Sequence, residues 1–374
     1  MIRFFIGTLV PLLLLVMQLW GTPVKPPTLT EANLTVTAKG GIRNPMREKP
    51  EGVIPVGAED FFYYGTWHST PTNKNLKVGL STTLTGYTGT TWKPASSVVE
   101  TGNSNAFFLL ADANGNVKWA LSSNDGNFSD MAATVAENKI YVVVGVKPVR
   151  RAEPRTDQIL ARWQWGAEVF EIQENFTNNT NPSKFTAPLY FYILEISLDG
   201  KILNAYKPFE DADPATTQGA FWYSVRRLLY ADKHLILDGK IAAESGKAPN
   251  KKKFTLKYGI PEKTVEGGVN GKQILTQIDI SNPEQLKVAK IDYVTNQETI
   301  NYMIDAVHVA NDAIYFSMTI SNGKNNLTEN VHFLDRDIEV AGQKGGHYLL
   351  KTDRRLKEVK WVKKLPQSIV VNFI

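Results

Sequence analysis

From Phe61 onward, short apolar and aromatic runs alternate with clusters of Gly, Asn, Asp and Pro. Runs of that length bounded by turn residues predict many short strands. "NAFFLLADANGNVKWAL", Asn105 to Leu121, shows the form: an apolar strand, a polar turn, and a second strand. It recurs at Tyr192 ("YILEISLDGKILNAY"), Ile274 ("ILTQIDISNPEQLKVAKI") and Tyr348 ("YLLKTDRRLKEVKWVKKL"). Val117-Lys118-Trp119 returns as Val359-Lys360-Trp361. Asn114-Gly115 and Asp199-Gly200 supply residues that tolerate the positive φ of tight turns. A second strand–turn–strand unit follows the first three hairpins: "VAENKIYVVVG" at Val135, "YADKHLILDG" at Tyr230 and "VANDAIYFSM" at Val309. Ala136, Ala231 and Ala310 align in it, and polar turns fall at Glu137-Asn138, Asp232-Lys233 and Asn311-Asp312.

Two consecutive hairpins make a four-stranded antiparallel meander, expected near 105–147, 189–242 and 272–321. A partial copy begins near Tyr348, and "DFFYYGTW" and "LKVGLSTTL" near the start are expected to complete it. A lone meander cannot bury both of its faces, whereas stacking against copies of itself does so and hides sheet edges. The expected fold is all-β, a β-propeller-like array of about four to five blades, either closed or an incomplete ring. The one helix-like stretch is Thr156 to Phe176, where Ile159, Trp163 and Val169 would share a helical face.

The segment from Trp92 to Gly145 resembles the β-propeller repeats of bacterial secreted and cell-surface proteins, the SBBP type. Gly102, Asp112, Gly115, Trp119, Ala132, Ala133, Tyr141 and Gly145 fall in the order of that repeat. The later copies match more loosely: Trp is absent from the second and third, and Leu356 replaces the turn Gly of the last. The resemblance implies a propeller and an exported location, and no reaction, since fold alone does not fix function. Propellers that hold a quinone cofactor carry similar strands, but many use a vicinal disulfide, which this chain cannot form. No cofactor is expected.

Composition sharpens the picture. The chain has 374 residues, 43% hydrophobic and 21% charged, enough for a sizeable core. It has no cysteine, which excludes disulfides and thiolate metal sites. The net charge of +5 comes from 42 basic and 37 acidic residues that are interleaved, so no nucleic-acid partner is indicated. The cluster Lys251-Lys252-Lys253 reads as a solvated loop tip. Arg3 followed by the uncharged stretch Phe4–Trp20 reads as a signal peptide over 1–21, with an uncleaved anchor as the alternative. No other segment is apolar enough to cross a membrane. Residues 22–59 read as an extended linker or arm and 60–374 as the propeller-like domain, in a secreted, periplasmic or cell-surface protein.

Candidate chemistry is sparse. His68, His234, His308, His332 and His347 show no metal-ligand spacing, so no metal site is expected. His308 lies three residues after Asp305, which places the two on opposite faces of a regular strand unless a bulge intervenes. "SNDGNFSD" gathers Asp125, Asn127 and Asp130, a weak pattern for a cation. Glu174, Asp211, Asp213 and Asp305 are dispersed carboxylates. Aromatics near arginine are usual anchors of recognition. Trp163, Trp165, Trp222, Tyr223, Arg226 and Arg227 are therefore the ligand-binding candidates on end-face loops, unless the rings fill wedges between sheets. The expected function is a non-catalytic binding or scaffold protein contacting a protein or glycan. The alternative is an extracellular hydrolase or lyase with a central pocket of dispersed carboxylates.

Overall fold

Turns with left-handed residues fold successive strands back antiparallel, and the chain uses them throughout. The computed structural model describes residues 48–68, 104–113, 117–147, 159–165, 168–174, 190–211, 221–243, 254–258, 263–267, 272–282, 286–293, 301–321, 326–327 and 329–366. Among the described residues there are 23 strands, numbered in chain order, and no helix. The first meander is β1 (Glu48–Val56), β2 (Asp60–His68), β3 (Ser104–Asp112) and β4 (Val117–Asp125). The second is β5 (Asn127–Ala136), β6 (Lys139–Lys147), β9 (Tyr190–Ser197) and β10 (Ile202–Tyr206). The third is β12 (Phe221–Ala231), β13 (His234–Ala243), β16 (Lys272–Asp279) and β17 (Lys287–Tyr293). The fourth is β18 (Asn301–Val309), β19 (Ile314–Ser321), β22 (Gly346–Thr352) and β23 (Val359–Leu365).

The recurring hairpins are where the sequence places them, but their grouping into sheets is displaced by one hairpin. β3–β4 closes the first sheet and β5–β6 opens the second. The cause is the connection between them. Gly126 alone separates β4 from β5, at φ 115, and a Cβ there would meet the Phe128 ring at 2.5 Å. So short a crossing reads like a turn within one meander. "DFFYYGTW" accordingly pairs with β1 and β3 rather than with the last strands. "LKVGLSTTL" and Asn114-Gly115 lie outside the described residues. β1 takes up the end of the stretch read as an arm, using all of Glu48–Val56.

Each of the last three meanders carries an insertion between its second and third strands. They are β7 (Ile159–Trp165) with β8 (Glu168–Gln173), β14 (Phe254–Tyr258) with β15 (Lys263–Gly267), and β20 (Val331–Phe333) with β21 (Arg336–Ile338). The stretch read as helical is thus a hairpin. It pairs along β4 and extends the first sheet to six strands, which covers its edge. β14 pairs in the same manner with β11 (Glu210–Asp211), just after the second sheet.

The sheets stack face to face in chain order. On β6, Ile140, Val142, Val144 and Val146 enter the core shared with the first sheet. Tyr141 and Val143 enter the core shared with the third. β13 divides likewise: Leu235 and Leu237 face the second sheet, and Ile236 faces the fourth. A strand buried on both faces loses polar alternation and becomes a continuous apolar run. The first strands of the four meanders are neighbours in series, β1 beside β5, β5 beside β12, and β12 beside β18. Each has one bulge, and the extra residue is charged in every case: Glu51, Asp130, Arg226 and Asp305.

Turn chemistry holds as expected. Glu137 and Asn138 have φ 49 and 59, and Asp232 and Lys233 have φ 47 and 62, the two-residue hairpin form. Gly200, at φ 89, lies beneath Trp119, whose indole N–H donates to the Leu198 carbonyl at 2.8 Å. The fourth-sheet counterpart of Gly200 is Leu356, at φ 51 and fully buried in the core between the third and fourth sheets. Left-handed backbone costs a branched residue about 1–2 kcal/mol, and deleting a buried Leu side chain costs about 2–5 kcal/mol. Burial therefore outweighs strain. Leu356→Gly is expected to lower unfolding free energy by about 1–3 kcal/mol, measured by urea denaturation, despite relieving the turn. An unchanged or raised midpoint would show that strain dominates.

Candidate functional site

The bulge in β18 interrupts its ladder at Ile304 and Asp305, and a buried backbone group left unpaired is costly. Side chains of the third sheet take its place. The Ile304 N–H donates to Gln273 Oε1 at 3.0 Å. Its carbonyl accepts from Arg226 Nη1 at 3.1 Å and Arg227 Nη1 at 3.2 Å. Arg227 Nη2 donates to the Asp305 carbonyl. Arg227 and Gln273 are themselves held by Asp238, at 2.7 and 2.6 Å. Asp238 is fully buried. Burial pushes its carboxyl above the usual carboxylate range, against the Gln273 hydrogen bond and the charges of Arg227 and Arg226.

This frame presents the Asp305 side chain to the far face of the fourth sheet, the face turned away from the third. Thr319 Oγ1 donates to Asp305 Oδ2 at 2.5 Å and lies 2.9 Å from His347 Nδ1. A hydroxyl has one proton, so with it given to Asp305 the imidazole nitrogen is the donor to Thr319. Asp305, Thr319 and His347 belong to β18, β19 and β22.

Strand β19 alternates: Ile314, Phe316, Met318 and Ile320 enter the core, while Tyr315, Ser317 and Thr319 take the far face. Register aligns His308, Tyr315, Lys351 and Trp361 in one row across all four strands. The next row is Ala306, Ser317, Leu349 and Lys363, and the third is Met303, Thr319, His347 and Leu365. Trp361 meets Tyr315 edge-on, ring centroids 6.2 Å apart, and remains 36% exposed. Lys351 Nζ is 2.8 Å from Asp312 and 5.5 Å from the Tyr315 ring centre. The Asp312 hydrogen bond, then that of Tyr315, raises the Lys351 pKa. In the second sheet Val143 of β6 occupies the place of Ser317, and in the third the buried Asp238 of β13 does. The far face of the fourth sheet is thus mixed: His308, Met303, Trp361 and Lys363 are exposed, whereas Ser317 at its centre is buried.

The candidates from sequence fare differently. Trp163 is fully buried, stacked on Phe108 at 6.4 Å and edge-on to Phe128 at 5.4 Å, so it fills the wedge between the first two sheets. Arg226 is exposed but bound to the Ile304 carbonyl, and Arg227 belongs to the buried frame. Trp165 lies on β7 and Trp222 and Tyr223 on β12, with their side chains outside the described residues. Glu174 accepts from the Tyr192 hydroxyl and pairs with Lys207 at 2.6 Å. Asp211 is on β11, its side chain outside the described residues, as is Asp213 entirely. Asn127 Oδ1 caps the Ser104 N–H at 3.3 Å. Among the described residues no three acidic or histidine groups gather as a metal site.

Asp305 is the extra residue of a bulge, so the odd spacing to His308 is absorbed and both take the far face. Thr319 and His347 were not foreseen. Their signal is the polar alternation of "IYFSMTIS", which the core of β6, "VVVGV", lacks.

The described residues define an all-β protein of stacked antiparallel sheets, most of the larger ones four-stranded. No family model, curated protein or solved structure matches the chain.

Arg227→Ala is expected to destabilise the protein by about 3–5 kcal/mol at pH 7, because it leaves the buried Asp238 charge uncompensated. Since burial already raises this pKa and the substitution raises it further, the cost is full above the folded-state pKa. It fades as pH falls toward the ordinary carboxylate value. Urea unfolding at pH 7 and pH 4.5 should show the gap between variant and wild type narrowing at the lower pH, and Asp238→Asn added to the variant should recover part of the loss.

Proposed function

We propose that this chain is an exported, non-catalytic binding or scaffold protein of β-propeller-like build that takes a protein or glycan on the far face of its fourth sheet. The observation that carries this reading is the cross-strand row of His308 and Trp361, both exposed, with the half-buried Tyr315 and Lys351 between them, on a face that no other sheet among the described residues covers. The recognition surface thereby moves from end-face loops to a strand-borne platform, since Trp163 is committed to the core. Face-to-face stacking in chain order with first strands adjacent supports the propeller-like reading. So does the likeness of Trp92–Gly145 to SBBP-type repeats. Export rests on the apolar stretch after Arg3.

The rival is a hydrolase built on Asp305, Thr319 and His347. In a nucleophilic triad the imidazole touches the nucleophile as base and the carboxylate orients the imidazole. Here threonine occupies the middle: it gives its proton to Asp305 and receives a hydrogen bond from His347. The imidazole is then a donor, not a base. The chain of contacts ties β18, β19 and β22 together and explains itself structurally.

Purified full-length protein is expected to leave p-nitrophenyl esters and glycosides unhydrolysed above background, with Thr319→Val unchanged. Labelled protein should be retained on an array of immobilised glycans, and the double variant Tyr315→Ala, Trp361→Ala should not. Turnover that disappears in Thr319→Val overturns the non-catalytic reading. Retention indifferent to the double variant overturns the face.

A further inference from the structure

We infer that Asp238 works as a proton-operated latch between the third and fourth sheets: charged, it holds the bulge of β18 in place, and neutral, it releases it. This goes beyond the recognition reading and does not depend on what the far face binds.

The direction of each hydrogen bond in the frame carries the inference. The Ile304 N–H is a donor in every state, so Gln273 must turn Oε1 to it, at 3.0 Å. Its Nε2 then points at Asp238 Oδ1, at 2.6 Å. Arg227 bonds the other oxygen, Oδ2, at 2.7 Å. A guanidinium has donors only, and a carboxylate acceptors only. Both oxygens of Asp238 thus face donors, which suits the charged form and leaves no place for a carboxylic proton.

A proton on Oδ2 meets the guanidinium. Arg227 must then withdraw, and its bond to the Asp305 carbonyl goes with it. A proton on Oδ1 meets the Gln273 amide. Turning that amide offers Oε1 to Asp238 but sets Nε2 against the Ile304 N–H, donor against donor. Either way the bulge loses a partner supplied by the third sheet. Arg226 keeps its bond to the Ile304 carbonyl at 3.1 Å, so the release is confined to the Ile304 N–H or the Asp305 carbonyl.

Arg227 has somewhere to go: its side chain is 24% exposed, whereas Asp238 is fully buried. The charged groups facing Asp238 are Arg226 and Arg227 of β12, with Asp305 of β18 joined to it through Arg227. Gln273 of β16 is neutral, and Lys240 on its own strand is exposed. Burial raises the Asp238 pKa, against the Gln273 hydrogen bond and the two arginine charges, so the latch opens at a higher pH than an ordinary carboxylate titrates. Because the folded-state pKa is the raised one, protonating Asp238 favours the folded chain, and the stability it contributes is lost only as pH rises through that value. Acid therefore loosens β18 locally and leaves the sheets stacked. Asp305 carries the change to Thr319 and His347 on the far face.

The test is hydrogen–deuterium exchange of the full chain at pH 7 and pH 4, with protection factors taken against the intrinsic rate at each pH. Protection across β18, residues 301–309, should fall about ten-fold at pH 4, the loss of one buried hydrogen bond. Residues 139–147 of β6 should keep theirs. Asp238→Asn carries a permanent donor and should show the lowered protection of β18 at both pH values. His347→Gln removes another titrating group joined to the bulge and should leave the pH dependence in place. Near-UV circular dichroism checks that each variant is folded, and the wild-type comparison stands without them. Four results each overturn the latch: β18 protection unchanged at pH 4, an equal loss in β6, pH dependence retained in Asp238→Asn, or pH dependence abolished by His347→Gln.

Discussion

Everything in this protein follows from a sheet that is apolar on both sides. A four-stranded meander is one layer thick, so each apolar face must find another sheet or remain in water. The second and third sheets solve this by alternation: successive residues of β6 and β13 point into different cores. Burying an apolar side chain is worth about 1.5–3 kcal/mol. A strand that buries every residue therefore fixes its register twice over, once from each side. A slip by one residue would exchange the two cores rather than expose one.

The bulges are the cost and the use of this arrangement. Each first strand has an extra residue opposite an intact ladder, which bends the strand and frees backbone groups. At Gly145 the surrounding space is so close that a Cβ would lie 2.9 Å from the Ser129 carbonyl. Between the third and fourth sheets the freed groups are met by Gln273, Arg226 and Arg227. That is why a carboxylate, Asp238, is buried in an otherwise apolar wedge. Such a network adds little net stability over an apolar replacement, but it accepts only one alignment of β18 against β12 and β16. The alignment is what delivers Asp305 to the far face.

Local chemistry was legible in the sequence and partner choice was not. Turn residues such as Glu137-Asn138 and Asp232-Lys233 mark hairpins unambiguously, because positive φ is a property of a few consecutive residues. Which hairpin joins which sheet depends on pairing over distance. One glycine, Gly126, stands where the chain leaves one sheet for the next, so the crossing imitates a turn and the grouping shifts by a hairpin. The "RWQWGAEVF" stretch misled in another way. Trp163 and Ala161 share one side of β7, the bulge at Leu160 turns Ile159 to the other, and pairing with β4 makes the stretch a strand.

The far face was harder still to read, and the reason is register. His308 and Trp361 are brought into one row only by three successive strand pairings, and no local pattern announces their proximity. What the sequence does contain is a contrast. After the shared Ile-Tyr, "VVVG" of β6 has no polar side chain, whereas "IYFSMTIS" of β19 places Ser317 and Thr319 opposite Phe316 and Met318. A repeated strand that regains polar alternation in its last copy meets apolar contact on one side only among the described residues. Solvent must then satisfy what apolar contact satisfied elsewhere, and a ligand able to replace that solvent needs hydroxyls and charge more than apolar surface. The change in period therefore both locates the open face and limits the chemistry of what can occupy it.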